Sequence, residues 1–181
     1  MPIIGSTDTF AIQWKVHDGL HIGYVYLSVW IAGKKIGALD DAVSIATFVK
    51  RAENFQVQAE NRYFINSETL TGTEIFRDLY DSCVITALPG QSLADAIKLS
   101  SPSALPLELA GKLRDTFYLD EVFGDLLQDT FNLLLVAEPV MGRERLILRD
   151  LSSMEIAEYF LPAGEVEHVM KETLSTLESL G

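Results

Sequence analysis

The sequence predicts an α+β fold in a single domain over residues 1–181, with a largely antiparallel mixed sheet and helices packed on it. Strand-like alternation is confined to the two ends of the chain, helical periodicity fills the middle and the C-terminus, and the turn signals between strands suit hairpins. Of 181 residues, 48% are hydrophobic and 22% charged. A chain of that size buries roughly two-thirds of the surface its unfolded state exposes.

Residues 9–16 alternate, with Phe10, Ile12, Trp14 and Val16 on one face and Thr9, Ala11, Gln13 and Lys15 on the other, which predicts a strand with one wet face. After a turn at His17-Asp18-Gly19, residues 20–32 are apolar at both parities and predict a strand covered on both sides. Gly33-Lys34 supplies a two-residue hairpin loop with glycine first, and residues 35–39 return as a short strand. Asp40-Asp41 offers an N-cap, and Ala42, Ile45, Ala46, Val49 and Ala52 follow at helical spacing. Thr71-Gly72-Thr73-Glu74 matches a capping box, ahead of Ile75, Phe76, Leu79, Tyr80 and Cys83 at period 3.6.

From 85 to 116 the pattern weakens into two short helical candidates, 92–99 and 106–114, in a segment expected to be an insertion or interaction loop. Strands resume at 130–137, turn about Met141-Gly142, and return over 143–150, with Leu146 and Leu148 on one face and Arg143, Arg145, Ile147 and Arg149 on the other. A third strand, 155–161, ends at Pro162. Residues 165–180 then place Val166, Val169, Met170, Thr173, Leu174 and Leu177 on one stripe of an amphipathic closing helix.

Charge excludes several classes of function. The chain has 26 Asp+Glu against 14 Lys+Arg, a net of −12. Direct binding of nucleic acid is therefore disfavoured. Between residues 115 and 138 stand Asp115, Asp120, Glu121, Asp125, Asp129 and Glu138, with no Lys or Arg. Such a block fits either a basic partner or simple solubility. No apolar stretch reaches the roughly 20 residues of a membrane span. The N-terminus lacks a secretory pattern, and Cys83 is the one cysteine, so cytoplasmic residence and a buried structural thiol are expected.

The search for chemistry yields little. His17 and His21 are four apart, which suits a metal pair only on a helix, and they flank a strand turn. Arg143, Arg145 and Arg149 form either an anion-binding stripe or, more in keeping with an acidic chain, a set of internal ion pairs. Trp14 and Trp30 read as core anchors, and His168 as a surface residue. No phosphate loop, nucleophile elbow, cysteine pair or zinc-protease pattern occurs in the sequence. No catalytic residue, metal site or cofactor is expected.

At the N-terminal end Ile4-Gly5, Phe10-Ala11-Ile12, Gly23, Trp30-Ile31-Ala32-Gly33 and Ile36-Gly37 follow in order. Towards the C-terminus stand Phe131-Asn132, Gly142-Arg143-Glu144-Arg145-Leu146-Ile147 and Leu161-Pro162-Ala163-Gly164-Glu165-Val166. This succession resembles the immunity protein 42 family of bacterial polymorphic toxin systems, at both ends of the chain but not over 85–116. The resemblance implies a cytoplasmic protein that binds and neutralises a cognate toxin domain, without catalysis. A basic nuclease is one toxin that the acidic block would fit. The matched positions are scaffold, so no site residue carries over. From charge alone, Asp120, Glu121, Asp125 and Asp129 are the expected toxin contacts. Two other readings stand beside this one: a small hydrolase or ligand-binding enzyme with a pocket between the sheet and 85–116, and a homo-oligomer joined through a strand edge.

Overall fold

The computed structural model describes residues 1–17, 23–37, 42–83 and 107–178. Its strands divide into two antiparallel sheets, where the sequence suggested one. The N-terminal sheet holds β1 (Ile3–Gly5), β2 (Phe10–Val16), β3 (Tyr24–Ile31), β4 (Lys34–Ile36) and β5 (Ala42–Ser44). Its order is β1-β2-β3, and β4 and β5 share the far edge of β3, opposite residues 29–31 and 24–26 respectively. The C-terminal sheet is the meander of β6 (Phe131–Glu138), β7 (Arg143–Asp150) and β8 (Ile156–Pro162).

The hairpin between β3 and β4 turns one residue earlier than expected. Ala32 and Gly33 are the loop pair, both at positive φ (48° and 81°), and Lys34 already faces Ile31 across the ladder. Positive φ at both positions matches the right-handed twist of the flanking strands, and glycine accepts it without steric cost. Residues 42–44, expected to open a helix, instead form β5 with Val43 opposite Val25. A stretch of three small or β-branched residues, Ala42, Val43 and Ser44, fits a sheet edge as well as the start of a helix. The helix α1 (Ile45–Val57) begins only after Ser44, which makes no side-chain cap bond. Asp40, Asp41 and His21 lie outside the described residues.

β2 lacks the expected wet face, and β3, expected to be covered on both faces, is covered on both only in part. Ala11 is fully buried and Gln13 nearly so, on the face of β2 read as exposed. The Gln13 side-chain oxygen accepts from Trp30 Nε1 at 3.2 Å, which makes that burial tolerable. In β3, Val25, Leu27, Val29 and Ile31 are buried, whereas Tyr24 is exposed and Trp30 only half-buried.

The helix α2 (Gly72–Cys83) opens with the expected capping box: Glu74 N–H donates to Thr71 Oγ1 at 3.3 Å and Thr71 N–H to Glu74 Oε2 at 2.8 Å. Then come α3 (Leu107–Phe117), α4 (Asp120–Phe123) and α5 (Asp125–Thr130), and α6 (Glu165–Glu178) closes the chain. The candidate helix 92–99 and the side chain of Cys83 lie outside the described parts. All six stripe residues of α6 are buried against the inner faces of both sheets, joining Phe10, Ile12, Leu133, Leu135 and Leu146 in one core. A smaller cluster sets Ile75, Phe76 and Leu79 of α2 against Leu134, Val136 and Ile147 on the outer face of the C-terminal sheet.

Two buried charges lock the helices in place. Arg62 is 1% exposed; its Nε donates to the Thr116 carbonyl at 2.9 Å, and its other nitrogens bond Glu167 and the Phe55 carbonyl. One guanidinium thereby ties the ends of α1 and α3 to α6. Burial lowers its pKa to about 10, which leaves it charged at neutral pH. Glu144 of β7 accepts from the Gly164 amide at 2.8 Å and faces the Val166 amide at 3.5 Å, serving as a cap for α6 from across the fold.

Candidate functional site

The acidic stretch 115–138 divides between the interior and the surface. Asp120 is 2% exposed and accepts the Leu133 amide at 3.0 Å, joining α4 to β6. Burial raises its pKa to about 6, against the lowering effect of that hydrogen bond. Asp120 is therefore not on the outer face where charge alone had placed it. The apolar run Phe117-Tyr118-Leu119 before it and Val122-Phe123 after it was the available signal, since an acid within such a run lies inside the fold. Glu138 is likewise internal: it takes Arg143 Nε at 2.6 Å and Arg145 at 2.5 Å.

The remaining acids are more accessible. Glu121 is half-buried and paired with Arg114, and Asp129 is exposed on α5. The side chain of Asp125 lies outside the described ones. Asp115 and Glu121 line a cleft of about 140 Å³ with Arg51, Asn54, Tyr118 and Val122. Glu121 and Asp115 thus share one recess, while Asp120 is directed inward to β6. Arg114 and Arg51 stand beside these acids, so the surface here is of mixed sign, unlike the sequence window taken alone.

The arginine stripe of β7 is consumed internally, in line with the pairing expectation. Arg145, 3% exposed, bonds Glu138 and the Leu70 carbonyl at 2.6 Å and reaches Glu158 at 3.4 Å. Arg149 donates to Asn132 Oδ1 at 2.7 Å and lies 4.4 Å from the centre of the Phe76 ring. Arg143 sits 4.0 Å over Phe160. These contacts weld α2 and the strands together and leave no stripe for an anion.

His17 stacks on Tyr26 with ring centres 5.2 Å apart, and His168 is exposed beside Glu172. Among the described residues no group of three or more His, Cys, Asp or Glu side chains could hold a metal ion. No described helix is long and apolar enough to cross a membrane. A second recess, of about 450 Å³, separates β4 from the inner face of the C-terminal sheet and is lined by Lys34, Lys35, Ile36, Phe131, Leu148, Asp150, Glu155, Ala157 and Tyr159.

The scaffold is packed and antiparallel, with Arg62 and the arginines of β7 held in structural contacts and charged clefts left at the surface. Its class is that of the immunity proteins, which bind and neutralise the toxin of a cognate pair. The chain belongs to the immunity protein 42 family, whose model matches residues 1–176. That match bears out the resemblance seen at the two ends and carries it through 85–116. Among solved structures the chain is similar to the CdiI protein of Burkholderia dolosa AUO158, with a TM-score of 0.67 and 13% identity over 97% of this chain and 99% of that one. At such identity the likeness is one of fold. No curated protein sequence matches the chain.

Proposed function

We propose that this immunity protein works in the cytoplasm by binding a basic toxin domain, with the acids beside α4 and α5 as part of the contact and no catalysis of its own. The observation that carries this reading is the accessibility of Glu121 on α4 and Asp129 on α5 in a chain with net charge −12. Acidic groups at a surface recess raise the encounter rate with a basic partner by steering. Asp125, next to Gly124 in the same stretch, stays in the proposed contact; Asp120 is withdrawn from it because its carboxylate holds β6. The hydrolase reading is not favoured, since the family match is to proteins that act by binding.

The test is co-expression with the toxin domain encoded beside this gene. The unaltered chain restores growth and binds the purified toxin domain. Charge reversal of Glu121, Asp125 and Asp129 to Lys slows association by about tenfold at low salt and far less at high salt. Unchanged association at both salts would sink the proposed contact.

A further inference from the structure

The recess between β4 and the C-terminal sheet carries an inference that rests on the toxin-binding reading and deepens it. Three consecutive residues of β4, Lys34, Lys35 and Ile36, line it. Successive side chains of a strand point to opposite faces, so a cavity touched by all three runs along the edge of the strand. That edge is open: β4 pairs with β3 on one side, and among the described residues no strand or main-chain hydrogen bond occupies the other.

The opposite wall is a sheet face. Phe131, Leu148, Asp150, Ala157 and Tyr159 share the inner face of the C-terminal sheet by register, since Phe131 faces Asp150, Leu148 faces Ala157 and Leu146 faces Tyr159. The recess is the part of this face that the N-terminal sheet leaves uncovered. It has an apolar floor, an unpaired strand edge about 10 Å long on one side, and charges of opposite sign on its two walls.

Those charges do not meet. Among the described residues Lys34 and Lys35 on the β4 wall form no ion pair, and Asp150 and Glu155 across from them form none either; the Asp150 carboxylate is turned to Ser152 and Ser153. Most of the described arginines, by contrast, are bound within the fold. An open slot with an apolar floor and opposed, unbridged charges fits an extended chain that supplies the missing partners to both walls at once.

We infer that an extended segment of the toxin enters this slot and adds to β4 as the next strand of the N-terminal sheet. Its alternate side chains lie on Phe131, Leu148 and Tyr159, a carboxylate of the segment reaches Lys34 and Lys35, and a basic group reaches Asp150 and Glu155. Main-chain bonds to the β4 edge supply affinity, and the slot's charge order sets the direction of the strand.

The experiment uses the full chain and the toxin domain encoded beside its gene. In the complex, hydrogen exchange of the amides of Lys34, Lys35 and Ile36 slows relative to the free chain. The double variant Lys34→Glu/Lys35→Glu, exposed and therefore expected to fold, loses about tenfold in toxin affinity. Ala157→Trp fills the floor and loses more, with circular dichroism confirming the fold. If the unaltered chain binds and neutralises the toxin while both variants bind within about twofold of it and β4 exchange is unchanged, the slot inference is overturned and the toxin-binding reading stands. If the unaltered chain binds no toxin, both fall together. If the two variants instead abolish a concentration-dependent dimer of the chain in sedimentation, the slot belongs to a second copy and the inference is overturned.

Discussion

The carboxylate of Asp120 accepts the main-chain amide of Leu133 at 3.0 Å from within the core, and so an acid in the most acidic stretch of the chain serves as a structural pin. Its pKa is raised from 3.8 to about 6, mainly by burial, so between those two pH values the folded chain holds a proton there that the unfolded chain has released, and above them the carboxylate is charged in the core. The sign follows: this group's contribution to stability is greatest below about pH 4 and declines as pH rises towards 6.

The variant Asp120→Asn keeps an acceptor for Leu133 and removes the buried charge. Its stability relative to the unaltered chain rises between pH 4 and pH 7 by on the order of 2 kcal/mol. Urea unfolding at the two pH values measures this, and parallel pH profiles for the two proteins would show that Asp120 carries no buried charge. Toxin association by this variant is unchanged, in contrast to the surface reversals.

Arg62 makes a second, larger prediction. Replacing it with Met removes the one cation that the Thr116 and Phe55 carbonyls and the half-buried Glu167 share, and leaves all three acceptors without their donor. Loss of a buried guanidinium that serves two main-chain carbonyls and a half-buried carboxylate costs about 2–4 kcal/mol. Arg62→Lys recovers only part of it, because an ammonium cannot span three acceptors in one plane. Denaturant midpoints for the two variants check the order.

How much of this was legible in the sequence depends on how far each signal reaches. The stripe of α6 and the Thr71–Glu74 capping box were read correctly because both are set within one helix by its own periodicity. Residues 42–44 were misread because a stretch as short as Ala42-Val43-Ser44 satisfies both periods, and a partner strand 18 positions earlier, Val25 opposite Val43, decided between them. The exposed-face reading of Ala11 and Gln13 failed for a similar reason, as alternation reports polarity and not what packs against it. At the candidate site the acidic window stopped at Asp115, one residue short of Arg114, and no pattern announced that Arg51 of α1 would lie across the same cleft. Lys34 and Lys35 read only as hairpin residues, since the wall that makes them notable comes from Phe131 to Tyr159, far along the chain.

The cap on α6 is testable by itself. Glu144→Ala leaves the Gly164 and Val166 amides without their acceptor at the positive end of the helix dipole. The expected cost is about 1–2 kcal/mol, with faster hydrogen exchange confined to the first turn of α6. Exchange that accelerates equally in β2 would mean global weakening and no cap. Glu144→Gln, which retains an acceptor without the charge, falls between the two.

The last prediction concerns Arg145 and Glu138, both buried and joined at 2.5 Å. If β7 had evolved as an anion stripe, removing Arg145 would lower affinity for phosphate and leave the fold intact. The geometry requires the opposite, because Arg145 also holds the Leu70 carbonyl and so pins the segment before α2 to the sheet. Arg145→Met should cost about 3–5 kcal/mol. Glu138→Leu alone should cost a similar amount, since it strands Arg145 and deprives Arg143 of its carboxylate. The double variant Glu138→Leu/Arg145→Met should be less destabilised than the sum of the two, with a coupling of about 1–3 kcal/mol. Urea unfolding of all four proteins closes the cycle. A sum that is strictly additive would mean that the two charges are held apart in solution, and the internal account of the stripe would then fail.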